Sequence, residues 1–243
     1  VTVMNEYDHI LGFHKINAFR DAVHNSVGGK ENYFQVEERI DFDPYTILGQ
    51  KTKGGKITEK DCLVMQEIWK GPHTTGNDFL WYSFLPGGTF WNKIIPIGSF
   101  YYPLIGKRPK CFSLVEQYVH LAFEDPKKDL LHLKIRDFEK VFDTCIRKLG
   151  WLSCDHADLR PFANAGGKLI IDHGLDDPLI PVEGTIDYYH HMREIHGGQN
   201  FIDRFCRLYI NPGDGHGNCH TNGPGMTEST GIQALMNWVE HNK

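Results

Sequence analysis

Two stretches decide the fold: Gly166-Gly167-Lys168-Leu169-Ile170-Ile171-Asp172-His173-Gly174-Leu175-Asp176-Asp177 and Arg207-Leu208-Tyr209-Ile210-Asn211-Pro212-Gly213-Asp214-Gly215-His216. Each is a short run of aliphatic residues that stops at a glycine-rich turn carrying an acid or a histidine. α/β enzymes set reactive side chains at strand ends of this kind. Around them the chain alternates, with strands expected over 168–172 and 204–210 and helices over 182–197 and 227–242. Nearly all-apolar strand cores separated by helices predict an α/β fold with a parallel sheet covered by helices. Two parallel strands cannot bury their own faces, so further strands are expected from sequence ahead of Val1.

Composition sets the class. The 243 residues contain 40% hydrophobic and 12% aromatic side chains, enough for a sizeable core. A net charge of -5 without long runs of one sign argues against a nucleic-acid partner or a polybasic membrane patch. No stretch approaches the ~20 apolar residues that cross a bilayer, and the first residues do not form a basic and then apolar leader. The six cysteines are scattered and include no Cys-x-x-Cys pair, so neither a disulfide miniprotein nor a thiol redox motif is indicated.

Ahead of the two strands the texture differs. Apolar Ile16, Ala18, Phe19, Ala22 and Val23 predict a helix over 15–23, closed by Gly28-Gly29. Between 36 and 150 the chain is cut by Phe42-Asp43-Pro44, Gly54-Gly55, Gly71-Pro72 and Pro86-Gly87-Gly88, marking turns and loops around a few helices. One helix is expected over 58–69, where Thr58 and Asp61 resemble an N-cap and a first-turn acid. Another is expected from 134 or 137 to 149, ended by Gly150. Residues 36–150 therefore read as a subdomain inserted between 1–35 and 151–243. The aromatic group Phe79, Trp81, Tyr82 and Phe84 is expected to pack as core, or to line an aryl pocket if it lies near a site.

The chemistry concentrates in the two strand-end loops. His216 stands among glycines that free the backbone to present an imidazole, which accepts and returns a proton near neutral pH. Its acid partner is expected to be Asp177 or Asp176, since a carboxylate at a strand end can accept from imidazole Nδ1–H and fix the tautomer. The other of the two would serve turn formation or capping before Pro178, and Asp172 is a weaker choice by strand alternation. No serine among Ser26, Ser83, Ser99, Ser113, Ser153 and Ser229 lies in Gly-x-Ser-x-Gly. An acid and a base without a nucleophile point to part of a larger protein. A zinc site from His216, Cys219 and His220, with His173, is a competing reading that lacks the usual ligand spacing.

At these residues the chain resembles the tannase and feruloyl esterase family. The resemblance is carried by Asp158-Leu159-Arg160-Pro161-Phe162, His173-Gly174-Leu175-Asp176-Asp177-Pro178-Leu179-Ile180-Pro181, Tyr188-Tyr189, and Arg207-Leu208-Tyr209 through His216. Upstream, Phe42-Asp43-Pro44, Ile68-Trp69-Lys70-Gly71-Pro72, Glu124-Asp125-Pro126 and Asp137-Phe138-Glu139 are similar to the family's lid region.

The resemblance implies an α/β-hydrolase fold, with 1–35 and 151–243 as core and 36–150 as lid. It implies a serine esterase acting on esters of aromatic acids such as gallate or ferulate. Asp177 and His216 match the family's triad acid and base, while the serine and the oxyanion-hole amides belong to a preceding segment absent from this chain. A secreted or periplasmic setting is implied, with no cofactor or metal. The alternatives are a non-catalytic hydrolase-fold binding module and a metal-dependent hydrolase. The family typically joins a cysteine beside its serine to one directly after its histidine, whereas here Gly217-Asn218 precede Cys219. Its acid-rich calcium loop is replaced by Asn25 through Asn32, so no calcium is expected there.

Overall fold

The structure, a computed structural model, describes residues 2–27, 40–88, 111, 113–217 and 223–241. These fall into two compact units that divide after Ser153. The first contains α1 (Thr2–Glu6), α2 (Phe13–Ser26), a small hairpin of β1 (Lys51–Thr52) and β2 (Gly55–Lys56), α3 (Glu59–Lys70), α4 (Ser113–Phe123) and α5 (Ile135–Leu149). The second contains α6 (Arg160–Asn164), β3 (Leu169–Gly174), α7 (Val182–Ile195), α8 (Gln199–Ile202), β4 (Cys206–Asn211) and α9 (Glu228–His241).

In the first unit α3 begins as its sequence dictates. The Thr58 hydroxyl accepts from Asp61 N at 3.3 Å, while the Asp61 carboxylate accepts from Thr58 N at 2.7 Å. This reciprocal pair satisfies two of the donors that every helix start leaves open. The helix stops at Gly71, whose φ of 83° lies in the region glycine favours. Its inner face, Cys62, Val64 and Met65, packs with Met4, Leu11, Phe19 and Ile57 in one core. A second cluster joins Val119 of α4 to Leu130 and to Val141 of α5.

Besides α1 and the β1–β2 hairpin, an α-helix and an aromatic group of this unit depart from the sequence expectations. Helix α4 has no counterpart among them, because Leu114, Val115, Tyr118 and Leu121 are exposed while Val119 and Ala122 are buried. With apolar residues on both faces, the helical period is hidden. The aromatic group is not core: Phe79 and Trp81 are exposed and meet Tyr82 at 5.0 and 5.4 Å between ring centroids.

The second unit is built on the expected parallel pair. β3 and β4 run in register from Leu169 opposite Cys206 to Gly174 opposite Asn211. Strand alternation then sorts the side chains. Leu169, Ile171 and Cys206 join a core with Met192 of α7, Ile202 and Phe205. On the opposite face Asp172 and Tyr209 are exposed. There the Arg207 guanidinium and the Lys168 ammonium lie 4.6 and 5.0 Å from the centroid of the Trp238 ring of α9. Both strands run past their expected ends, so each continues directly into its loop.

Candidate active site

The two loops are tied by backbone before any side chain contributes. Past the last sheet pair, Leu175 N donates to Asn211 O and Asp176 N to Asp214 O, each at 2.9 Å. The close approach needs glycine at 174, since a Cβ there would collide with the Asp214 and Gly215 carbonyls. The histidine loop itself turns through Gly213 and Gly217, with φ of 75° and 66°.

This register brings Asp177 to His216. The Asp177 carboxylate Oδ2 accepts from His216 Nδ1 at 2.9 Å. Its other oxygen accepts from Leu179 N at 2.7 Å and Ile180 N at 3.0 Å, a local turn that Pro178 favours. The acid side chain is 4% exposed and the histidine 36%, so the carboxylate is enclosed while the ring reaches solvent. A carboxylate acceptor at Nδ1 puts the proton of a neutral imidazole there and its lone pair on Nε2.

A second imidazole reaches the same oxygen. His173, on β3, places Nε2 3.4 Å from Asp177 Oδ2 and 3.1 Å from Ile180 O, while its Nδ1 lies 2.7 Å from Thr185 Oγ1 on α7. Burial alone would raise the Asp177 pKa, but bonds from His173, the Ile180 and Leu179 amides and His216 outweigh it and hold the pKa below the ordinary value. Asp177 is therefore a carboxylate at neutral pH.

Asp176 is buried as well, but its surroundings differ. It is 5% exposed, and Asp214 beside it is fully buried. Asp176 Oδ1 has no hydrogen-bond partner among the described residues. Burial, reinforced by the Asp214 charge, pushes Asp176 up to about 7. Asp214 in turn leaves no room for a side chain at Gly225, whose Cβ would collide with the Asp214 carboxylate.

Asp172 is exposed on the outer face of β3. Cys219 and His220 lie outside the described residues, as do 28–32 of the stretch compared with the family's calcium loop. Among the described residues no three or more His, Cys, Asp or Glu side chains are grouped to hold a metal ion. The contact of His173 with Asp177 is absent from the sequence expectations. The signal that could have revealed it is the spacing of the motif, in which a strand-end turn folds position 177 back onto position 173.

Comparison with known proteins places the chain. The sequence model described as tannase and feruloyl esterase matches residues 108–243, more than half of the chain. A probable feruloyl esterase of Arthroderma benhamiae is 26% identical over 239 residues, covering 93% of this chain and 40% of that protein. A tannase of Aspergillus oryzae is 24% identical over 212 residues, covering 81% of this chain and 35% of that protein. A tannin acyl hydrolase structure from Aspergillus niger superposes with a TM-score of 0.75 at 22% identity, over 100% of this chain and 48% of that one. The chain thus spans less than half the length of these relatives. The structural likeness gives the α/β-hydrolase type of fold. The strand-end acid and histidine lie within the matched residues, and the chain belongs to the tannase and feruloyl esterase family.

Proposed function

We propose that this chain is part of a carboxylic ester hydrolase that cleaves esters of aromatic acids through a serine acyl-enzyme, with Asp177 as the acid and His216 as the base. The observation that supports this most directly is the 2.9 Å contact between an enclosed Asp177 and a solvent-reaching His216. In this reading His216 Nε2 takes the proton of a serine hydroxyl as the oxygen attacks the ester carbonyl carbon. It then returns that proton to the departing alcohol oxygen. Water repeats the sequence on the acyl-enzyme and releases the aromatic acid. Asp177 holds the ring in its Nδ1–H tautomer and stabilises the imidazolium formed in between.

The serine and the oxyanion-hole donors are assigned to a segment outside this chain. Residues 36–150 are assigned as the lid and 151–243 as hydrolase core, with α1 and α2 sharing one compact unit with α3, and a secreted or periplasmic setting goes with the family. The relatives' names, feruloyl esterase and tannase, support an aromatic acyl group. The test is to read the encoded sequence flanking Val1, express the complete protein and assay a ferulate or gallate ester. Hydrolysis stopped by a serine-directed reagent is expected. A folded complete protein with no serine at a strand-to-helix elbow and no hydrolysis would overturn the proposal.

A further inference from the structure

Asp177 Oδ2 sits between two imidazoles, and only one of them belongs to the acid–base pair. The second, His173, has both ring nitrogens occupied by groups of known polarity. On one side Nε2 faces the Ile180 carbonyl at 3.1 Å and Asp177 Oδ2 at 3.4 Å. Neither group can donate, the first because it is a carbonyl and the second because it is ionised. Nε2 must therefore carry a hydrogen. On the other side Nδ1 meets the Thr185 hydroxyl at 2.7 Å, and a hydroxyl can donate to a bare nitrogen. A neutral His173 protonated on Nε2 satisfies all of these contacts at once. The side chain is 10% exposed, so a wrong tautomer would leave buried polar atoms unmatched.

We propose that Thr185 and His173 extend the Asp177–His216 pair into a four-member chain, in which His173 is a positioning residue that keeps Asp177 Oδ2 turned to His216. This role rests on the esterase reading for its purpose but not for its geometry. The Thr185 hydroxyl, at the start of α7, donates to His173 Nδ1. His173 Nε2–H donates to the Ile180 carbonyl and to Asp177 Oδ2. With the Leu179 and Ile180 amides on Oδ1 and His216 Nδ1–H on Oδ2, the carboxylate then has donors on both oxygens and little freedom to rotate. Keeping His173 neutral also matters. An imidazolium there would compete with His216 for the carboxylate charge and weaken the very stabilisation that Asp177 provides.

The test uses nuclear magnetic resonance of the 15N-labelled protein, so it does not depend on hydrolysis. In the unaltered protein the neutral form of His173 is expected as the Nε2–H tautomer, and His216 is expected to show a downfield Nδ1 proton. His173→Phe keeps a ring but removes both nitrogens. It is expected to erase or strongly broaden the His216 Nδ1 proton signal and to raise the Asp177 titration midpoint. Thr185→Val should broaden the His173 signals and weaken the His216 proton signal, while Thr185→Ser should restore both. A His173 found as the Nδ1–H tautomer or as imidazolium at neutral pH would overturn the proposal. So would a His173→Phe protein that keeps the native His216 signal and Asp177 midpoint. If His173→Phe fails to fold, the tautomer of the unaltered protein and the Thr185 pair still decide. A complete enzyme that does not hydrolyse esters would sink the esterase reading and leave this chain of contacts standing.

Discussion

Each unit of the molecule contains a histidine bound to a buried aspartate, and the two pairs stand in different surroundings. In the first unit His9 Nε2 lies 2.7 Å from Asp61 Oδ1, and in the second His216 Nδ1 lies 2.9 Å from Asp177 Oδ2. The contact alone therefore distinguishes nothing. What differs is the rest of the environment. Asp61 is fully buried and also accepts from Lys15 Nζ at 2.6 Å and from the Thr58 amide and hydroxyl at 2.7 Å. It ties α2 to the start of α3 and caps that helix, and its job is complete within the fold. Asp177 is held by backbone amides and imidazoles, with no lysine or arginine bound to it among the described residues, and its partner His216 stands on a glycine-rich strand-end loop, with its side chain 36% exposed against 23% for His9. A histidine–aspartate pair becomes a candidate for proton transfer when the acid is not already neutralised by a lysine and the histidine stands on a solvent-facing strand-end loop.

The largest effect that would break or sharpen this contrast is on rate. Replacing His216 by Ala in the complete enzyme is expected to lower ester hydrolysis by at least about 10⁴-fold with the unfolding transition nearly unchanged. Replacing His9 by Ala should leave the rate alone. Next comes Asp61→Ala, which strands Lys15 beside a buried gap. Urea unfolding should report a loss of about 3–5 kcal/mol, without a change in rate per folded molecule.

A third prediction concerns pH. Asp61 and Asp177 both have pKa values held below the ordinary one, so the stability they add is present above about pH 4 and is lost as pH falls. For Asp61, burial pulls upward but is outweighed by Lys15, His9 and Thr58. Asp176 has the opposite sign. Its pKa rises from 3.8 to about 7, so its contribution is full below about pH 4 and is lost as pH climbs to about 7. Unfolding free energy of Asp176→Asn, compared with the parent protein, should therefore fall less over that interval, by up to about 4 kcal/mol. Identical pH slopes for the two would show that Asp176 is an ordinary carboxylate. The smallest effect is Thr58→Ala, expected to cost about 1 kcal/mol in thermal or urea unfolding through loss of the helix cap.

Much of this is legible in the sequence because local rules and global fold agree where the chain is simplest. The two aliphatic runs form the parallel strands, since continuous apolar stretches between helices have few other stable solutions. Thr58 and Asp61 announce their helix because a capping box is a local device. Helix α4 is hidden by apolar residues on its outward face. The hairpin β1–β2, only two residues per strand, lies below what alternation can reveal. At the site, the glycine-rich loops mark Asp176, Asp177 and His216 as candidates. The residues by themselves leave Asp176 and Asp177 open and only the family resemblance favours Asp177, because the choice depends on which carboxyl meets Leu179 N, Ile180 N and His173, and which lies against Asp214. The role of His173 is hidden for the same reason, being a tertiary contact closed by Thr185 on a different element.

The most direct test sets Asp177→Asn beside Asp61→Asn in the complete enzyme, with hydrolysis of an aromatic ester and urea unfolding measured on the same preparations. Asp177→Asn is expected to lose roughly 10⁴-fold in rate per folded molecule, beyond any loss of stability from its altered hydrogen bonds, and Asp61→Asn to lose stability while each folded molecule keeps its rate. An Asp177→Asn protein that hydrolyses the ester at the parental rate would contradict the assignment of this pair to catalysis.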